Sequence, residues 1–224
     1  MCAMAIRMTL KTISGIRTTP FALLAGLLGS LAITAQADTN ADEQLLHGIY
    51  AQGGQTLYCD TPFEPGDRTR IDRIYAERPM LQHLGCSNAR SCQTNPAFVA
   101  ARDDLHQMFP IERQSDMDRR GTLFGELRAG AATSERCGYR LAFQTFEPPE
   151  AARGAVARAM MYMHVQHGLP LVGPYEMFQR WNEASPPDAA EQARNERIEA
   201  LQGNRNPFID NPASMRNVPP PSLF

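Results

Sequence analysis

The 224-residue sequence predicts an α+β domain, rich in helix, with a few short strands. Three observations carry that prediction. An apolar stripe in helical register runs through residues 150–167, a capped helix opens at Asp188, and short β-branched or aromatic runs lie at 69–75, 123–127 and 139–146. Hydrophobic residues at 43% with charged residues at 21% exclude a disordered, collagenous or multi-span membrane chain.

Taken in order, Arg7, Lys11 and Arg17 precede an apolar run at 21–33, and Ala35-Gln36-Ala37 follows as a small-residue cleavage site. That pattern is a secretory signal peptide over residues 1–37, not a membrane span. The folded domain is expected over 38–212, with a Pro-rich tail at 213–224 that is disordered or tracks the surface. Residues 40–51 read as a first helix, 69–75 as a strand with Asp72 and Arg73 on opposite faces, and 81–95 as loop. A helix is expected over 98–108, and strands over 123–127 and 139–146. Pro148-Pro149 introduces the clearest helix, 150–167, whose stripe is Ala152, Ala155, Val156, Ala159, Met160 and Met163, ended by Gly168 and Pro170. Two further helices follow, at 175–183 and from Asp188, where Glu191 completes a capping-box-like pair, to about Gln202.

The formal net charge is −2, and removing the leader takes three cations and no acid, so the mature chain is more acidic still. Such a chain does not grip nucleic acid by bulk charge; a polyanion site would be a local patch. The single lysine, Lys11, leaves with the leader, so every mature basic charge except histidine is an arginine. Cys2 leaves too, and Cys59, Cys86, Cys92 and Cys137 remain as an even set suited to two disulfides in an oxidising compartment. One of the three connectivities closes Cys86 with Cys92 and joins Cys59 to Cys137 across the domain. The sequence holds no Gly-rich phosphate loop, no G-x-S-x-G and no H-E-x-x-H.

Several segments together resemble one family. Ile74-Tyr75, His83-Leu84-Gly85-Cys86, Asn95-Pro96, Asp104-Leu105-His106 and Phe124-Gly125-Glu126 are similar in order and spacing to the bacterial endonuclease I family. So are Arg153-Gly154, Ala157-Arg158, Trp181, Arg194-Asn195 and the run from Gln202 to Asp210. The resemblance spans residues 45–212. It implies a periplasmic or secreted, disulfide-containing, monomeric nuclease that cuts DNA or RNA with little sequence preference and does not enter a membrane. It also implies a ββα metal motif of the His-Me finger type, in which Glu-His on a strand and an Asn surround one Mg²⁺ and the His is the general base.

This sequence departs from that pattern at the centre. Asp72-Arg73 stands where the family has Glu-His, and Gln107 where Asp-Leu-His-Asn supplies its Asn; Gln114, Asp116 and Gly121 fall where Glu, Asn and Asn are expected. The resemblance therefore assigns Asp72 and Gln107 to a weakened site for Mg²⁺ or another divalent cation, and Arg73 to the former place of the base. A guanidinium keeps its proton at physiological pH, so Arg73 can contact the scissile phosphate but cannot accept a proton from water. The alternative is a lapsed member that binds nucleic acid, or serves a structural role, without cutting. Arg119, Arg153 and Arg158 are the expected phosphate contacts. His83 and His106 are read as packing histidines, His164 and His167 as charge at a helix C-terminus, and Asn204-Arg205-Asn206 as a clamp on the C-terminal segment.

Overall fold

The computed structural model describes residues 40–221. The signal peptide read at 1–37 and the last three residues of the tail lie outside them.

The chain opens with a short helix, α1 (Ala41–Glu43), capped by Asn40 and continuing as a π-helical turn, Gln44–Ile49. Strands β1 (Gly54–Gln55) and β2 (Pro62–Phe63) pair antiparallel. Strand β3 (Arg70–Arg73) pairs antiparallel with β4 (Met108–Ile111), setting Asp72 opposite Phe109 and Arg73 opposite Met108. Between them run α2 (Glu77–His83), α3 (Ala89–Cys92) and α4 (Pro96–Arg102), so the segment expected as loop at 81–95 includes part of α2 and all of α3. Asn88 and Ser91 form a capping box that starts α3, and Asn95 caps α4 with Pro96 in its first turn. The helix expected over 98–108 ends at Arg102, because Asp104 caps a separate 3₁₀ turn, Leu105–Gln107, that feeds β4.

After β4 comes α5 (Arg113–Arg119), then β5 (Leu123–Phe124), β6 (Ser134–Arg136), β7 (Tyr139–Ala142) and β8 (Thr145–Glu147). These last four strands form one sheet in the order β5-β8-β7-β6, with β5 parallel to β8 and the other pairs antiparallel. The run 139–146 is thus a hairpin folded at Phe143-Gln144, not one strand.

Helix α6 (Glu150–His167) matches its expected bounds and ends at Gly168 with φ +63°. It packs on α7 (Tyr175–Ala184) at Gly154, where a Cβ would lie 2.0 Å from the Ser185 carbonyl oxygen. That close approach requires glycine. The chain ends with α8 (Ala189–Gln202), α9 (Pro207–Asp210) and a 3₁₀ turn, Pro212–Asn217. The start of the tail is docked: Met215 is fully buried and the Tyr175 hydroxyl donates to the Val218 carbonyl.

The main core gathers Val156, Met160, Met161 and Met163 of α6 against Phe98, Phe178, Trp181 and Phe208. Each such side chain contributes roughly 1.5–3 kcal/mol over an exposed one. A smaller cluster of Leu45, Ile49, Leu105, Met108 and Ile198 holds the N-terminal helix against β4 and α8. The disulfides are Cys59–Cys137 and Cys86–Cys92.

Candidate functional site

Strands β3 and β4, paired across the α2–α4 connection, and helix α5, which follows β4 and packs against β3, make a strand–strand–helix unit in space. A cavity of about 580 Å³ opens beside it, lined by Asp72, Arg73, Glu77, Arg78, Gln82, Asp116, Arg119 to Leu123 and Gln144 among others. Five of the positions singled out above, Asp72, Arg73, Asp116, Arg119 and Gly121, thus line one cavity. A smaller space of about 150 Å³ adjoins it, touched by Asp72, Arg73 and Gln107.

Asp72 is 8% exposed, and its Oδ2 is already occupied. Tyr58 donates its hydroxyl at 2.5 Å and Arg119 its Nε at 2.9 Å. Arg119 is itself buried, its guanidinium 4.1 Å from the Phe124 ring centroid, with Nη1 donating to the Thr122 carbonyl and hydroxyl. Burial, the strongest influence, works against its charge, but Asp72 and Tyr58 outweigh it, and the guanidinium holds its proton more tightly than an ordinary arginine. Burial, followed by the Asp72 charge, pushes the Tyr58 phenol well up, so Tyr58 stays a donor. Asp72 and Arg119 are therefore a built-in ion pair. Arg119, expected to meet a phosphate, is instead the internal partner of the carboxylate.

Arg73 points the other way. Its Nε donates to the Arg102 carbonyl at 3.0 Å and its Nη2 to Asp42 at 2.7 Å, with Asp103 at 3.6 Å. Gln107 is wholly buried: its Nε2 donates to the carbonyls of Ala101 and Arg102, and its Oε1 accepts from the Tyr75 amide. Its side chain staples the long β3–β4 connection, and its one oxygen already accepts from the Tyr75 amide. Gln114 donates to Asp118, Asp116 pairs with the exposed Arg120, and Gly121, at φ +72°, offers no side chain.

The residues present do not fit a divalent cation. Asp72 has one oxygen spoken for and its charge balanced by Arg119, the Gln107 amide is spent on backbone, Gly121 has no donor, and Arg73 adds a cation. Among the described residues no group of three or more His, Cys, Asp or Glu side chains is arranged to hold a metal ion. No histidine lines the cavity.

The other sequence-predicted residues lie elsewhere, in the frame. Arg158 is 1% exposed and ties α6 to α7 and α8 through Glu191, Asn182 and the Ser185 carbonyl. Arg153 bonds Glu147 and the Pro148 carbonyl beside the Trp181 ring. Arg158 belongs to the helix packing, because burial of a guanidinium demands that its donors be satisfied internally; Arg153, half-buried, is held by Glu147 and the Pro148 carbonyl. His106 is buried, its ring against Tyr162 and its Nε2 at the Asn204 carbonyl. His83 is exposed at the end of α2, away from the cavity wall. His164 meets the Leu169 carbonyl, and His167 meets Asp104 at 2.8 Å. Asn204 and Asn206 do clamp the C-terminal segment, through Tyr162, Gln202, Asn195 and the Arg158 carbonyl.

Tyr58, Arg78 and Arg120 belong to the site or its support. Arg120 forms a basic pair with Arg119 in the sequence, whereas nothing local marks Tyr58, whose partner Asp72 lies 14 residues on.

The sequence profile of endonuclease I covers residues 35–213. The chain belongs to the endonuclease I family. Endonuclease I relatives include a periplasmic deoxyribonuclease of Aeromonas hydrophila, 34% identical over 125 residues, which is 54% of this chain and 53% of that protein. The chain thus spans about half the length of that relative. An extracellular deoxyribonuclease of the same organism is 32% identical over 82% of this chain and 93% of its own. An extracellular ribonuclease of Bacillus amyloliquefaciens is 30% identical over 49% of this chain and 44% of its own.

Proposed function

We propose that this protein is an exported, sequence-nonspecific nuclease of the periplasm or the extracellular space. It takes the backbone of DNA or RNA, as a monomer, at the cavity beside β3. The observation that carries this reading is the convergence of Asp72, Arg73 and Gly121 on one cavity wall. The strand–strand–helix order of β3, β4 and α5 supports reading the unit as the family's ββα motif. The printed names of the relatives, periplasmic or extracellular nucleases of DNA or RNA, support the compartment and the substrate class. Among the described residues no helix is long and apolar enough to cross a membrane.

The chemistry is left to the chain's own groups, since the wall does not fit Mg²⁺ and no step runs through it. Arg73 lines the cavity but its guanidinium is paired with Asp42 and the Arg102 carbonyl, so the exposed Arg78 and Arg120 supply the positive charge, where a phosphate is drawn in by charge and by guanidinium donors. None of them removes a proton from water. Losing a positioned base forfeits about 10²- to 10⁴-fold in rate, so hydrolysis is slow and backbone binding outlasts it.

A second reading, binding with no hydrolysis at all, is favoured by the pairing of Asp72 with Arg119 and Tyr58, which also occupies the one carboxylate of β3. Supercoiled plasmid and single-stranded RNA incubated with excess oxidised protein, with Mg²⁺ and with a chelator, separate the two. Cleavage that scales with protein supports the slow nuclease, and retarded but intact nucleic acid supports the binder. Neither cleavage nor retardation contradicts both.

A further inference from the structure

Phe143 is 95% exposed, the most exposed of the large hydrophobic side chains in the described residues. It stands at the first position of the two-residue turn between β7 and β8, where Ala142 faces Thr145. Its φ is +50°. A two-residue hairpin turn with positive φ at its first position favours glycine, because any Cβ crowds the backbone there. The neighbouring turn between β6 and β7, Cys137-Gly138, at least places a glycine in the left-handed region and a disulfide beside it. Phe143 has neither compensation: it packs on nothing and strains its own turn. Burial does not account for it, and turn geometry argues against it, so what it offers is its exposed ring.

The ring has a defined place. The next residue, Gln144, lines the 580 Å³ cavity, and its carbonyl accepts a 2.8 Å hydrogen bond from the amide of Leu123, another cavity residue that is 44% exposed. The turn is thereby pinned to β5, and Gln144 and Leu123 line the same cavity as Arg78 and Arg120. Resting on the nucleic-acid reading above, we propose that Phe143 is a stacking platform for an unpaired base. The strand's phosphate enters beside the exposed Arg78 and Arg120 while the adjoining base lies on the Phe143 ring. An aromatic face beside guanidinium charge is the combination that single strands need, and stacking accepts every base, in keeping with a sequence-nonspecific reader. A paired base in an intact duplex keeps its faces for its neighbours and gains nothing from the ring.

The test is fluorescence anisotropy with a labelled mixed-sequence single strand and with the same sequence as a blunt duplex, in chelator so that nothing is cut. Phe143→Ala and Phe143→Gly are expected to weaken single-strand binding by about 5-fold to about 100-fold and to leave duplex binding within about 2-fold. Phe143→Trp is expected to retain single-strand affinity and to show quenching of the new indole on binding. Phe143→Gly should also melt no lower than the parent, since it relieves the left-handed position. Unchanged single-strand affinity in the Ala and Gly variants would overturn the stacking proposal while leaving backbone binding intact; so would an equal loss for duplex. If the parent binds neither form, the nucleic-acid reading falls and this inference with it.

Discussion

Asp104 and Asp72 are buried to similar extents, 4% and 8% exposed, yet the polar groups around them solve different problems. Asp104 accepts from Tyr162 and His167 on one oxygen and from the His106 amide and Gln202 on the other. These donors come from the 3₁₀ turn before β4, from α6 and from the end of α8, so one carboxylate gathers elements widely separated in the chain. Asp72 answers to Tyr58 and Arg119 on a single oxygen and stands at the edge of open space. The first arrangement is saturated and faces inward; the second is balanced but faces a cavity. The difference governs tolerance to change: removing a member of a closed network strands several buried donors, whereas changing a wall residue such as Gly121 strands none. A fold of this kind can lose its chemistry without losing its shape.

The comparison is sharpest in stability. Asp104→Ala leaves buried donors without an acceptor and is expected to cost roughly 3–5 kcal/mol in a denaturant melt. Asp116→Ala, at the cavity, breaks a bridge to an Arg120 side chain that is 71% exposed and is expected to cost less than about 0.5 kcal/mol. Similar losses at the two sites would erase the distinction.

A smaller effect of the same network is its response to acid. Burial, opposed mainly by Asp104, lowers the His106 pKa from 6.5 to about 4. The unfolded imidazole therefore takes up a proton near pH 6.5 and the folded one only near pH 4, so stability falls as pH drops through that window, by about 3 kcal/mol in total. Asp104 adds to the loss. Burial raises its pKa most strongly, but hydrogen bonds from His167, Gln202 and the His106 amide together bring it below the usual value, so its stabilisation is present above pH 3.8 and vanishes as pH falls further. Urea midpoints measured from pH 7 to pH 4 should decline steadily; a flat profile would mean that His106 is not held neutral.

The two regions also differed in how legible they were. Helices α6 and α8 were readable to within a residue, because an apolar stripe with Gly168 behind it, and Asp188 capping the Glu191 amide, are local signals. Strand β4 was not. All four residues of Met108–Ile111 are buried, so no alternation of polar and apolar residues marks them, and Pro110 argues against a strand. Helix α5, Arg113–Arg119, has no apolar stripe because it buries two polar residues, Ser115, bonded to the nearby Glu112, and Arg119, whose partner Asp72 lies 47 residues away. The same holds for the site: the departure at Asp72-Arg73 could be read directly, but the neutralising pair with Arg119, 47 residues away, is a tertiary fact. Phe143 escaped notice because the run 139–146 reads as one continuous strand, with no Gly or Asn at the turn.

If chemistry has been lost from the cavity wall while the frame still holds the wall in place, restoring the wall alone should restore the chemistry. Gly121 has φ +72° and nothing within 4 Å of a built Cβ, so Gly121→Asn adds an amide oxygen at low cost, asparagine being tolerant of that conformation. Arg73→His replaces a cation with a group that can accept a proton near neutrality. The measurement is the plasmid-nicking rate of the double variant R73H/G121N against the parent, in Mg²⁺ and in chelator. The account predicts a rise of about 10²-fold or more that the chelator abolishes. A folded double variant that cuts no faster than the parent, or a parent that already cuts rapidly and only with Mg²⁺, would contradict it.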